Sequence, residues 1–84
     1  MKTNDFAIHI PTKLVVKILS IDDTHVTFDV VSKSEQFDFG RKPIEEMEDI
    51  EDSISNYSSI MKRLRLKYVN EFNLWWKSVV KHKN

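Results

Sequence analysis

Eighty-four residues with equal numbers of acidic and basic side chains allow a single domain whose core is thin, because a chain this short buries only ~60–65% of the surface it exposes unfolded. The absence of cysteine excludes disulfide support and points to a reducing, cytoplasmic setting. No apolar run is long enough to span a membrane, the first residues do not read as a signal peptide, and a lone glycine excludes a phosphate-cradling glycine-rich loop.

Residues 1–40 read as a β-meander. Phe6, Ile8 and Ile10 alternate, and Pro11 ends that run. Lys13–Ile21 is rich in Leu, Val and Ile. Asp22-Asp23-Thr24 predicts a turn, since Asp side chains bond to nearby backbone. From His25 to Val31, Val26, Phe28 and Val30 fall on one face and Thr27 and Asp29 on the other. Ser32-Lys33-Ser34 predicts a second turn, Phe37 and Phe39 a short last strand, and Gly40 its end. The expected fold class is α+β: three or four antiparallel strands with one apolar face that one or two C-terminal helices cover.

Residues 43–54 read as an acidic helix. Pro43 suits a first helical turn, and Glu45 and Glu46 suit the positive end of its dipole. Residues 57–82 read as a basic amphipathic helix. Met47, Ile50, Ile54, Tyr57, Met61, Leu64 and Tyr68 recur at intervals of three and four, and the series continues to Phe72, Trp75 and Val79 after a stutter. A single helix of ~60 Å and two helices broken near residues 53–59, where serines weaken helix propensity, both fit this pattern.

The charge is sorted along the chain. Residues 35–56 carry a net −6, and residues 57–84 a net +6. The two segments either pair within the fold or leave a charged surface for a partner. At 100° per residue the C-terminal helix divides into three faces. Tyr57, Met61, Leu64, Tyr68, Phe72, Trp75 and Val79 form the expected core stripe. Leu66, Val69, Trp76 and Val80 form a second apolar patch, wider than a small monomer needs, which suits either a folded-back helix or a partner. Arg63, Lys67, Asn70, Leu74, Lys77 and Lys81 form a basic rail, with Lys62 and Arg65 beside it. Such a rail can meet backbone phosphates or simply face water; Trp76 at its edge can stack on a base. The candidate partner-binding residues are therefore Lys62, Arg63, Arg65, Lys67, Trp76, Lys77 and Lys81.

His9, His25 and His82 lack metal-ligand spacing, and no nucleophile with a positioned base stands out. No cofactor and no enzymatic activity are expected. The Lys-, Ile-, Asp- and Asn-rich composition, the lone glycine and the start Met-Lys-Thr-Asn-Asp-Phe resemble the small accessory proteins of T4-like phages. That resemblance extends over the whole chain in composition and implies an inhibitor or modulator of a host or defence protein, such as a toxin or nuclease. The expectation is a non-enzymatic binding protein with a protein target, RNA as a further ligand, and no membrane association. The alternative is a structural homodimer or adaptor held through the heptad-like helix.

Overall fold

A computed structural model describes residues 1–33, 39–50 and 54–83, with side chains at all of these except 39, 54–56 and 81–83. Five strands, β1 (Phe6–His9), β2 (Leu14–Ile21), β3 (His25–Val30), β4 (Phe39–Pro43) and β5 (Met47–Asp49), form one antiparallel sheet in the order β4-β3-β2-β1-β5. Two helices follow, α1 (Ile54–Arg63) and α2 (Leu66–Lys83). The α+β class is as expected from the sequence.

The sheet curls, and chain length shows why. Its two edge strands, β4 and β5, are joined only by the 3-10 turn Ile44–Glu46. Four residues from Pro43 to Met47 reach at most about 14 Å. The edges of a flat five-stranded sheet lie about 19 Å apart at ~4.8 Å per strand. The sheet must therefore roll toward a barrel. A bulge between Ile18 and Ser20 in β2, which leaves Leu19 out of register, adds local bend.

Curling gives the sheet two buried faces instead of one. Inside the curl lie Ala7, Val16, Ile18, Val26, Phe28, Val30 and Met47, joined by Leu14, Ile21 and Ile44. Gly40 pairs directly with Phe28 and so leaves room beside that ring. On the outer face Phe6, Val15 and Val31 meet Ile60, Leu64, Phe72 and Trp76 of the helical segment. The apolar side of β3, expected beneath the helices, thus faces the barrel interior. The helices cover the mixed side instead, where Lys17 and Asp29 are opposite one another. There Lys17 pairs with Glu71, and the Tyr68 hydroxyl donates to Asp29. Trp75 Nε1 donates to Asp5 at 3.1 Å.

The expected acidic helix over 43–54 does not form. Pro43 ends β4 in an extended conformation, Ile44–Glu46 is a single 3-10 turn, and Met47–Asp49 adds β5 to β1. Met47 goes to the barrel interior and Ile50 to the helix side, two opposite destinations that one helix face cannot serve. Residues 51–53 lie outside the described residues, as do the predicted turn at Ser34 and the strand position of Phe37. Gly40 lies inside β4 rather than ending it. Glu48 and Asp49 are exposed on the short edge strand β5, where charge discourages pairing with another sheet.

The basic helix over 57–82 is two helices, and the break falls at Leu64–Arg65 rather than near 53–59. Nothing local calls for it: Lys, Arg and Leu are good helix formers. Tertiary pairing imposes it. Ser32 and Leu64 form an antiparallel bridge, Lys33 N–H donates to the Arg63 carbonyl at 2.7 Å, and Arg65 N–H donates to the Val31 carbonyl at 2.8 Å. Leu64, fully buried, anchors the joint.

The β2–β3 turn is built on Asp22. Its Oδ1 accepts from the N–H groups of Thr24 (2.8 Å) and His25 (2.7 Å), and the Arg41 guanidinium donates to Oδ2 at 2.9 Å. These bonds, the Thr24 and His25 amides first, hold its carboxyl well below the ordinary 3.8. Ionised Asp22 therefore supports the turn at pH values above about 4, and this support is lost as pH falls from there through its depressed folded-state value. In Asp22→Asn the urea midpoint should be lower at pH 6 and should fall less than the wild type's between pH 4 and pH 2. Parallel acid limbs in the two proteins would refute the assignment.

Candidate binding surfaces

The predicted site residues separate into three environments. Trp76 is 6% exposed and packs against Tyr57 (ring centroids 5.4 Å apart), Phe72 (5.9 Å) and Trp75 (6.2 Å). Its indole belongs to the core and offers no face to a base. Because the chain breaks at Leu64–Arg65, α2 takes its own phase: Phe72 and Trp76 point inward, with Val69 and Val80 beside them. Trp75, expected in the core stripe, is half-buried.

Lys67 and Lys77 lie on the outward face of α2. Lys67 Nζ stands 5.1 Å from the Tyr68 ring centroid, within cation–π range. Lys81 is in α2, and its side chain falls outside the described residues. Leu66 and Leu74, two residues that periodicity assigned to the apolar patch and the basic rail, are 88% and 68% exposed. Steps of four, four and three place Leu66, Asn70, Leu74 and Lys77 on one outward stripe. Leu66 and Leu74 are about 12 Å apart along the axis.

Lys62 and Arg63, in the last turn of α1, line a shallow cleft of about 280 Å³ together with Lys13, Leu14, Ser32 and Lys33. Lys13 comes from the β1–β2 turn and Lys33 from the segment after β3, two residues that helical periodicity had no means of adding to the site. Lys13 occupies a left-handed conformation (φ 60°), costly for a residue with a side chain, and its N–H closes the turn on the His9 carbonyl at 2.7 Å. Arg65 is half-buried at the joint itself.

Lys62, Arg63, Lys67 and Lys77 form no ion pair with Glu45, Glu46, Glu48 or Asp49. Glu46 instead meets the buried His9, whose Nε2 lies 2.9 Å from Oε1 while Nδ1 lies 2.7 Å from the Thr12 hydroxyl. Asp49 lies 3.7 Å from the Met1 amine. Among the described residues no three His, Asp or Glu side chains gather as metal ligands. No helix of the described residues is long and apolar enough to cross a membrane. No protein-family model, curated protein or solved structure matches this chain.

Proposed function

We propose that the chain is a non-enzymatic binding protein that docks a protein target on the outward face of α2. The observation that carries this reading is the exposure of Leu66 and Leu74 beside Lys67 and Lys77 on a helix whose inner face is already packed. An exposed leucine gains about 1.5–3 kcal/mol when a partner buries it. The flanking amines select a target with an acidic rim around an apolar patch. A second copy of the chain is a poorer match, since a two-fold pairing would set this basic stripe against itself. RNA is also a poorer match, because Trp76 is packed in the core and no other described aromatic side chain is free on this stripe for stacking. Disabling a host or defence protein by covering it is the mode that the compositional resemblance implies.

In a pull-down from the cells that express the protein, the captured target should be lost with Leu66→Glu/Leu74→Glu and retained with a surface control at Lys2. The expected weakening is about 100-fold, or ~3 kcal/mol. Unchanged capture by a folded double variant would refute the docking face. A concentration-dependent dimer by light scattering that the same substitutions abolish, or ribonuclease-sensitive capture, would replace it with the homodimer or the RNA reading.

A further inference from the structure

We propose that the cleft between the β1–β2 turn and the α1–α2 joint is a binding site for a diphosphate group, inorganic or carried on a small molecule. Four cationic side chains from three separate parts of the chain, Lys13, Lys33, Lys62 and Arg63, line one cavity of about 280 Å³. None of the four has an ion-pair partner among the described residues. Like charges gathered in this way repel, and a bound anion relieves them all at once.

The second observation is Ser32. The residue lines the cleft although it is only 6% exposed. Its Oγ accepts the Val15 N–H at 2.7 Å, so the hydroxyl proton is left to donate, and it finds no acceptor among the described residues. A buried hydroxyl in a cleft lined by four cations is suited to an oxyanion. The Arg63 guanidinium adds a planar fork that can hold two oxygens of one phosphate, which an ammonium cannot do.

Charge and size choose among anions. A single phosphate brings a charge of about −1.5 to −2, so a diphosphate answers four cations better than a monophosphate does. The volume lies just below the ~300–1,000 Å³ of sites that enclose whole drug-sized ligands. Leu14 is the one apolar side chain of the lining, and no aromatic ring is present to stack on a base. The site thus reads the phosphates and leaves any attached group outside. Two features oppose anion binding. The C-terminal end of α1 presents carbonyl dipoles here, although the Arg63 carbonyl is already bonded to Lys33 N–H. Arg63 also borders a neighbouring cleft that holds Glu48 and Asp49, yet it forms no ion pair with either.

Isothermal titration calorimetry of the full chain with inorganic pyrophosphate, ADP, AMP and sulfate tests the assignment. Pyrophosphate and ADP should bind one to one and more tightly than AMP or sulfate. Equal affinities would identify the inorganic group as sufficient, and tighter ADP would place the source among nucleotides. Lys33→Glu/Lys62→Glu should weaken pyrophosphate binding by at least about tenfold. Lys67→Glu/Lys77→Glu, with the same change in net charge, should alter it less than about twofold; circular dichroism reports that both variants are folded. Equal losses in the two variants, no saturable pyrophosphate binding at millimolar concentration, or tighter binding of a single-stranded oligonucleotide that pyrophosphate does not displace would each overturn the proposal. The cleft shares no residue with the α2 docking face, so the two proposals fail separately: Lys33→Glu/Lys62→Glu alters only the cleft, and Lys67→Glu/Lys77→Glu only the docking face.

Discussion

Phe72→Ala should cost about 3–5 kcal/mol of stability and leave the chain at the margin of folding. A protein of this length has only about 4–13 kcal/mol in total. Phe72 is fully buried and joins β1, α1 and α2 in one aromatic cluster. Its ring meets Phe6 of β1 edge to face (centroids 5.1 Å apart, planes at 86°) and packs against Tyr57 of α1 and both tryptophans of α2. Removing it opens a cavity where the sheet, α1 and α2 converge, and the surrounding rings are too large and too constrained to fill it. The edge-to-face pair adds about 0.5–1.5 kcal/mol beyond area burial, and that goes as well. Thermal denaturation should show a midpoint lower by more than about 12 °C, at roughly 4–8 °C per kcal/mol in a domain of this size. A loss under 1 kcal/mol in urea would mean that the helices hold to the sheet without this cluster.

The strands were legible in the sequence because their alternation, their turn chemistry and Pro11 agree with one another. The Asp22 turn is a local device, so its residues announce it. The roll of the sheet is not local, yet it left a trace: Leu14, Val15, Val16 and Ile18 in β2 are apolar on both faces, which a strand needs only when both of its faces are buried. The same trace explains the error over β3, whose apolar side fills the curl and is not the platform for the helices.

Residues 43–54 misled for a different reason. Met47 and Ile50 are spaced as neighbours on a helix, and Pro43 with two glutamates imitates a helix start. The short link between two sheet edges outweighs those preferences, because curling of the sheet brings Met47 to the interior. The break at Leu64–Arg65 carried no local mark, since backbone bonds from Val31 and Lys33, thirty residues earlier, create it. With that break unseen, the phase of α2 was carried across from α1. That phase puts Trp76 at the edge of the outward rail, and it divides Leu66 and Leu74 between the second apolar patch and the rail although they share one exposed stripe. The cleft was half legible: Lys62 and Arg63 came from the basic run, while Lys13 and Lys33 join them only once the turn, the segment after β3 and the helix joint have met.

Phe28→Ala tests whether the two cores are one structure. Phe28 lies inside the curl, fully buried, across from Gly40 and 5.9 Å from the His9 ring. The helices take no part in its cluster. Its truncation should nevertheless cost about 3–5 kcal/mol, because no neighbouring element is free to collapse into the space left behind. The loss should also reach the helical side. Adjacent residues of β1 and β2 serve both cores, Phe6 beside Ala7 and Val15 beside Val16, so a strand cannot leave one core and remain in the other. Both tryptophans are on α2 and report the helix side, while the far-ultraviolet signal reports the backbone as a whole. In Phe28→Ala the two probes should shift together and keep coincident midpoints in urea. Tryptophan fluorescence with a wild-type midpoint alongside a shifted backbone signal would show that the helices and the outer sheet face persist when the interior of the curl fails. The barrel would then be an accessory to a three-element core. Coincidence instead makes the packed interior of the curled sheet a condition for holding the α1–α2 joint and the two surfaces it sets apart.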